Sequence, residues 1–353
     1  MPRKPKTQPE ENKKVFPDVS PFGESVMIPS GCTILDLCCT DTVDGFCPAG
    51  HCVNIIGDRN SGKTLLAVAS MAETYRRYGD SFRYIFFDLE NAYSFDTPKL
   101  FGNKFAEALC VIPVPPSEEW ATEHLAKKMC ELIDKDKRPC YIVIDSMDAM
   151  RPIKEYTGFD DIADGKGGID SRGKANNLFF RVVVPKISET GSFMIYLSQA
   201  RDMIGVAAFY KAKTRSGGKA LGYNAYVELW LSCGRTIEID DLKIGGWTYA
   251  KVERSKANGK KRLCEFPILP AYGIDDTLAC LTWLNKEAGR VSINRGVWDL
   301  NKIGIDYIGK DPCLFIETEG KEDEIRNIVR NIWDEREREL VTATFGGRKN
   351  RYE

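Results

Sequence analysis

Residues 53–64 read VNIIGDRNSGKT, and this stretch decides the fold. Val53, Ile55 and Ile56 form a short apolar run, as expected of a buried strand in a parallel sheet. The run breaks into GDRNSGKT, which matches G-x-x-x-x-G-K-[ST] at every fixed position. Residues 65–78 continue as a predicted helix that contains good helix formers, namely Leu, Ala, Met and Glu. The motif therefore lies between a strand and a helix, which is the context that a phosphate-binding loop requires and a chance match would lack.

The loop predicts a site for a nucleoside triphosphate. Its glycines allow successive backbone N–H groups to face one centre, at the positive end of the following helix. Lys63 can reach the β- and γ-phosphates, and the Thr64 hydroxyl can hold Mg²⁺. The predicted nucleotide-binding residues are Gly57, Asp58, Arg59, Asn60, Ser61, Gly62, Lys63, Thr64, Leu65 and, from a later strand, Asp145.

The bulk composition limits the class of protein. The chain has 353 residues, 43% of them hydrophobic, which supports one large α/β domain and a smaller appendage. The net charge is −1, so a nucleic-acid site must be a local basic patch. Neither a signal-peptide pattern nor an apolar run of about 18 residues occurs. We therefore expect a cytoplasmic protein without a membrane partner.

The cysteines do not form an obvious metal motif. The chain has twelve, mostly inside apolar stretches, where we expect reduced, buried side chains. The group Cys38, Cys39, Cys47, His51 and Cys52 could bind zinc, but it contains no paired C-x-x-C spacing, and we interpret it as packing.

Three further apolar runs end in polar residues: Tyr84–Asp88, Tyr141–Asp145 and Phe193–Gln199. Open α/β sheets bind ligands at the carboxyl ends of their parallel strands. Glu90 follows the first run and is either a general base for the attacking water or a solvated acid. Asp145 ends the second run and is expected on the Mg²⁺ side of the site, as the partner of Thr64.

Other segments predict the surrounding elements. Helices are expected at Pro98–Ala108, from Ser117 to Lys135, at Asp170–Glu189 with a kink or break at Pro185, and at Lys321–Leu340. A strand is expected at Cys110–Val114. Two antiparallel edge strands are expected at Tyr226–Ser232 and Trp247–Glu253, with Gly245 and Gly246 in the turn.

The resulting fold class is α/β, with a mainly parallel central sheet flanked by helices, antiparallel edge strands and a small α+β C-terminal segment. The predicted domains are a flexible basic arm at 1–26, an ATPase core at 27–275, a small domain at 276–345 and a frayed tail at 346–353.

Residues 200–220 carry the strongest local charge. Five cations stand against Asp202 alone, Phe209 and Tyr210 lie between them, and Gly217 and Gly218 open a short helix. This composition suits single-stranded nucleic acid, because cations follow the phosphates and rings stack on bases. A solvated surface loop is the alternative.

Five stretches together resemble the bacterial and phage RecA-type recombinases, over about residues 28–275. They are IPSGCTILDL at 28–37, FFDLENAYSFD at 86–96, YIVIDSMDAM at 141–150, IYLSQARDMIGV at 195–206 and TRSGGKALGYNAYVEL at 214–229. The last is the most specific, since a generic phosphate-loop ATPase has no reason to carry it.

The resemblance implies a role for each matching residue. Glu90 would be the catalytic base. Gln199 would sense the γ-phosphate and couple its presence to the loop at 200–216. Arg254 and Lys256, from KVERSK at 251–256, would reach the ATP of a neighbouring subunit. The implied catalytic residues are Glu90, Lys63, Gln199, Arg254 and Lys256. The implied DNA-binding residues, from loops near 152–172 and 200–220, are Arg172, Arg201, Lys211, Lys213, Arg215, Gly217, Gly218 and Lys219.

The leading hypothesis is an ATP-dependent, single-stranded-DNA-binding recombinase of a bacterial or phage-infected cell, assembled as a filament or ring. A RecA-like accessory ATPase that binds a protein partner is the alternative, motivated by an acidic first loop and by residues 1–26, which lack a docking-helix pattern. A hexameric helicase motor is disfavoured by the Gly-Gly helix.

Overall fold

The computed structural model describes residues 26–157, 168–202, 213–215 and 219–346. Its strands are β1 (Met27–Ile28), β2 (Cys47–Pro48), β3 (Cys52–Gly57), β4 (Arg83–Asp88), β5 (Leu109–Pro113), β6 (Cys140–Asp145), β7 (Phe193–Asp202), β8 (Lys213–Arg215), β9 (Val227–Ile239), β10 (Leu242–Ser255), β11 (Arg262–Leu269), β12 (Gly273–Ile274), β13 (Ser292–Asn294), β14 (Val297–Asp299) and β15 (Ile308–Gly309). Its helices are α1 (Thr33–Thr40), α2 (Lys63–Tyr78), α3 (Thr97–Phe101), α4 (Asn103–Ala108), α5 (Thr122–Asp134), α6 (Ile153–Thr157), α7 (Gly168–Thr190), α8 (Lys219–Asn224), α9 (Asp276–Lys286), α10 (Pro312–Thr318) and α11 (Glu322–Phe345).

A ten-stranded sheet forms the centre of the fold. Its order is β12-β11-β10-β9-β3-β7-β6-β4-β5, with β8 paired to β7. The pairs from β9 through β3 to β5 are parallel, and the pairs from β9 to β12 are antiparallel. The phosphate-loop strand β3 thus lies between two parallel neighbours, which explains its continuous apolar sequence.

Helices cover both faces of this sheet, as predicted. One face packs Tyr84 and Tyr141 against Met71 of α2. The other face packs Ile142 and Tyr196 with Phe180 of α7, and helix α5 joins the same cluster. The predicted α/β class with a mainly parallel sheet is therefore confirmed.

The predicted antiparallel pair is present but was placed wrongly. Strand β9 is internal to the sheet, parallel to β3 on one side. The turn is formed by Asp240 and Asp241, both with positive φ, and not by Gly245 and Gly246, which lie within β10. A Cβ at Gly245 would lie 2.5 Å from the Ile268 carbonyl oxygen of β11. Gly245 is therefore a site of close strand approach, a second reason for glycine that the sequence does not distinguish from a turn.

Two helix predictions also need correction. The helix expected over 98–108 is split into α3 and α4 by Gly102, whose φ is +86°. Helix α7 continues through Pro185 to Thr190, so of the kink or break expected there the break does not occur.

The last helix, α11, packs against the part of the fold that contains the central sheet. Its apolar stripe is buried through Ile325, Val329 and Trp333, as expected. Arg262 of β11 pairs with Asp41 at 2.5 Å and with Glu337 of α11 at 2.7 Å. The hydrophobic cluster runs without interruption from the sheet into this helix. The predicted boundary at 275/276 stays a prediction.

The cysteine group behaves as packing. Cys38, Cys39, Cys47 and Cys52 are all buried, and burial raises the pKa of the Cys39 and Cys47 thiols well above their usual range. Within the described part of the chain, no group of three or more His, Cys, Asp or Glu residues could hold a metal ion. No described helix is long and apolar enough to cross a bilayer.

A buried acid at the start of α9 makes stability depend on pH. Asp275 accepts a hydrogen bond from the Leu278 N–H at 2.8 Å, and burial raises its pKa to about 6. Because the folded pKa lies above the unfolded value, the ionised carboxylate destabilises the fold above pH 6, and this penalty disappears as the pH falls to about 4.

We expect Asp275→Asn to raise the free energy of unfolding at pH 7 by about 1–3 kcal/mol, because asparagine keeps the helix cap without the buried charge. The gain should vanish near pH 4, and urea unfolding at both pH values measures it. Asp311→Asn is the control, since Asp311 caps α10 in the same way but is exposed. Equal gains from both substitutions would contradict the explanation.

Candidate nucleotide site

The loop between β3 and α2 forms a cradle of backbone amides. Gly62 has φ +87° and Asn60 has φ +62°, so the chain turns tightly into the helix. The Ser61 hydroxyl donates to the Asp58 carbonyl oxygen at 2.8 Å, and the Lys63 ammonium donates to the same oxygen at 2.6 Å. The lysine is thereby held across the cradle at a helix N-terminus, where anions bind.

Gly57 is required by its contacts, whereas Gly62 is required by its backbone angle and also lies close to another strand. A Cβ at Gly57 would lie 2.5 Å from the Ser61 hydroxyl and 2.6 Å from the Leu231 carbonyl oxygen of β9. A Cβ at Gly62 would lie 2.4 Å from the Ile268 side chain of β11. The cradle is therefore packed directly against the antiparallel half of the sheet.

We expect Gly57→Ala to lower the free energy of unfolding by about 1–3 kcal/mol, because neither the hydroxyl nor the carbonyl can move away without opening the loop. ATP affinity should fall at least tenfold, measured by equilibrium binding. Gly173→Ala is the control, because that helical glycine has open space around it and should gain a few tenths of a kcal/mol. Wild-type affinity in Gly57→Ala would contradict the packing argument.

A hydroxyl and a carboxylate meet beside the cradle. The Thr64 hydroxyl donates to Asp145 Oδ2 at 2.7 Å, across 81 residues of sequence. Burial raises the pKa of Asp145 to about 6, and the hydrogen bond from Thr64 opposes the shift. Burial also lowers the pKa of Lys63, against the attraction of Asp145 and Glu90. Hydroxyl and carboxylate oxygens are the donors that Mg²⁺ prefers, so these two residues fit the ion that the motif implies.

Glu90 is held at the same edge of the sheet by two side chains. Its Oε1 accepts from the Ser146 hydroxyl at 2.5 Å and from the Gln199 amide at 3.1 Å. The Gln199 N–H in turn donates to Asp148 Oδ2 at 2.7 Å. Glu90 is therefore an oriented carboxylate that contacts Gln199 directly. Sequence reasoning did not assign Ser146 or Asp148, although both closely follow β6.

A cavity of about 530 Å³ opens beside the loop. One wall comes from the segment after β4, with Ser94, Phe95 and Lys99. The facing wall comes from the end of β11, with Ile268 and Pro270. This cavity adjoins Lys63 and Thr64 and has the size and mixed lining of a small-molecule site. Sequence reasoning assigned no role to Ser94, Phe95, Lys99, Ile268 or Pro270.

Comparison with known proteins agrees with this geometry. A model of the RecA N-terminal domain matches residues 23–275. The chain belongs to the RecA family. The RecA protein of Nostoc punctiforme is 30% identical over 310 residues, which cover 87% of this chain and 80% of that protein. The RecA protein of Tropheryma whipplei is 29% identical over 330 residues, covering 92% of this chain and 68% of the relative.

Membership of the RecA family favours a recombinase with ATPase activity over the accessory module. A third relative, the RecA protein of Leptospira meyeri, is 31% identical over 241 residues, covering 68% of this chain and 58% of the relative. The identities near 30% leave individual residue roles to be argued from the geometry.

The two cations of the KVERSK segment lie away from the chain's own phosphate loop. Arg254 of β10 pairs with Glu228 of β9, and Glu228 pairs in turn with Asn54 of β3. Asn54 lies three residues before Gly57, the first residue of the loop motif. At about 3.3 Å per residue, Arg254 lies roughly 10 Å from the loop along the strand direction, towards the opposite end of the strands. The Arg254 guanidinium donates to the Gly222 carbonyl oxygen at 2.7 Å, and the Lys256 N–H to the Tyr226 carbonyl oxygen at 3.0 Å.

The predicted DNA-binding residues are only partly described. Arg172 lies on α7 and pairs with Glu155 of α6, with Nη2 and Oε2 2.7 Å apart. The backbones of Arg201, Lys213, Arg215 and Lys219 lie on β7, β8 and α8. Lys211, Gly217 and Gly218 lie outside the described residues, as do residues 158–167 of the first predicted DNA loop.

Proposed function

We propose that this RecA-family chain is a single-stranded-DNA-stimulated ATPase that acts in homologous pairing. One observation carries the proposal. Glu90, Asp145 and Gln199, from three different strand ends, converge beside the phosphate loop, and Gln199 contacts Glu90. Gln199, after which the chain continues into the basic loop, thus contacts the proposed base, Glu90.

In the proposed reaction, the Glu90 carboxylate accepts a proton from the water that attacks the γ-phosphorus of ATP. Lys63 and the backbone amides of the loop stabilise the charge that grows on the phosphate oxygens. Thr64 and Asp145 would hold Mg²⁺, which supplies further positive charge to those oxygens when bound. Ser146 and Gln199 orient the Glu90 carboxylate towards the water.

Self-association follows from the position of Arg254 and Lys256, the two cations of the KVERSK segment. Arg254 and Lys256 lie towards the opposite end of the strands from the phosphate loop of their own chain. A phosphate of a neighbouring subunit is therefore the target that suits them. An arginine there can contact a phosphate in a bidentate manner. We therefore propose a filament or ring with ATP between subunits, in the cytoplasm of a bacterial or phage-infected cell.

Strand β7 provides the path from ATP to DNA. It continues past Gln199, and Ala200–Asp202 pair with Lys213–Arg215 of β8. Both ends of the intervening basic segment are thus attached to the strand that carries Gln199. A change at Gln199 on hydrolysis would alter how that segment presents its cations.

ATP hydrolysis with and without single-stranded DNA tests the function. We expect stimulation in the wild type and its loss in the double variant Arg215→Ala with Lys219→Ala. The salt dependence of DNA binding should weaken, with the log–log slope falling by about 1.4, since two phosphate contacts are removed. Lys127→Ala with Lys135→Ala, two exposed lysines of the α5 region, is the control. Unstimulated wild-type hydrolysis would refute the proposal and favour the accessory module.

A further inference from the structure

Side chains donate hydrogen bonds to three successive carbonyl oxygens of helix α8, which follows the basic segment. The Ala220 carbonyl oxygen accepts from the Asn224 amide at 2.8 Å, and the Gly222 carbonyl oxygen accepts from Arg254 at 2.7 Å. Between them, the Leu221 carbonyl oxygen accepts from the Tyr196 hydroxyl. The last four carbonyls of a helix have no intrahelical partner, so Tyr196 and Arg254 satisfy the Leu221 and Gly222 oxygens, which the six-residue helix cannot satisfy alone.

Two of these donors come from different strands of the central sheet. Tyr196 lies on β7, three residues before Gln199, and its side chain is fully buried. Arg254 lies near the end of β10. Leu221 of α8 and Ala225 just after it are also fully buried. Helix α8 is therefore fastened both to the strand that carries Gln199 and to the strand that carries the proposed subunit contact.

We propose that Tyr196 is a positioning residue whose hydroxyl fixes α8 to β7 and thereby sets how strongly single-stranded DNA stimulates hydrolysis. This inference rests on the proposed function. The basic segment is already joined to β7 at β8. The bond from Tyr196 joins α8, the helix that follows the segment, to the same strand. A displacement of Gln199 then reaches both β8 and α8, and without the hydroxyl it loses this direct link to α8.

The test is Tyr196→Phe in the full-length protein, which removes the hydroxyl and leaves the ring. We expect hydrogen exchange of the backbone amides in 219–226, without nucleotide or DNA, to accelerate about tenfold, because a buried hydrogen bond is lost. Stimulation by single-stranded DNA should fall about three- to tenfold. The KM for ATP without DNA should stay unchanged, since the hydroxyl that is removed donates to Leu221 of α8.

Tyr141→Phe is the matched control. Tyr141 is an equally buried tyrosine on the adjacent strand β6, and its hydroxyl donates to Ser70 of α2 at 2.7 Å. It should lose a comparable amount of thermal stability without changing exchange in α8 or stimulation by DNA. Equal effects of the two variants on stimulation would overturn the proposal, because general destabilisation would then explain both.

The exchange measurement separates this inference from the function on which it rests. Unstimulated wild-type hydrolysis would refute the proposed function, while faster exchange in Tyr196→Phe would still support the anchoring of α8. Unchanged exchange in both Tyr196→Phe and Arg254→Met would overturn the anchoring itself. Faster exchange with wild-type stimulation would overturn the coupling.

Discussion

The variant Glu90→Gln should bind ATP like the wild type and hydrolyse it about 10²–10⁴ times more slowly. The glutamine amide oxygen can still accept the hydrogen bonds from Ser146 and Gln199, so the geometry of the site is retained. It cannot accept a proton from the attacking water. Single-turnover hydrolysis, together with equilibrium binding of ATP, measures the two effects separately.

The control for Glu90→Gln is the same substitution at Glu107, an exposed glutamate of α4. That variant should keep wild-type kcat. A Glu90→Gln protein with wild-type kcat would show that Glu90 is only an oriented strand-end acid, the alternative that the local sequence leaves open.

The variant Lys63→Met should lose both binding and catalysis. Lys63 is the cation that the Asp58 carbonyl oxygen holds across the phosphate cradle. Lys63 is a fixed positive charge beside phosphate oxygens whose negative charge grows in the transition state. Removing it lowers kcat by about 10²–10³, and we expect ATP affinity to fall at least tenfold as well. Isothermal titration with ATP measures the affinity, and steady-state hydrolysis measures kcat.

Lys104→Met, at an exposed lysine of α4, controls for the loss of one positive charge from the protein. The contrast between Lys63→Met and Glu90→Gln is the informative result. If Lys63→Met retained tight binding, the cradle would hold the phosphates by its backbone amides alone, and the role assigned to the lysine would be wrong.

Much of the site was predictable because its parts are local in sequence. A phosphate loop needs glycines, a lysine and a hydroxyl at fixed spacing, and a strand and a helix must flank it, all within 53–78. The apolar runs that end at Asp145 and Gln199 are equally local. Their polar ends were expected at one edge of a parallel sheet because such strands all point the same way. The structure brings Thr64 to Asp145 as that argument requires.

Other features could not be predicted because they depend on sheet order. The hydrogen bonds to Glu90 join residues 56 and 109 positions apart, and they exist only because β6 and β7 lie between β4 and β3. The turn of the β9–β10 hairpin was misplaced for a related reason. A glycine that permits close approach of a neighbouring strand looks, in sequence, like a glycine that permits a turn.

By itself, the sequence determined the phosphate loop, the α/β class and the resemblance to the RecA family, because each rests on residue types at short, fixed spacing. The tertiary structure alone decided which side chains complete the site. It placed Ser146 on Glu90, Ile268 against the loop, and Tyr196 and Arg254 on successive carbonyls of α8. These contacts join distant segments, and no local pattern encodes them, because they follow from the order and register in which the strands pair.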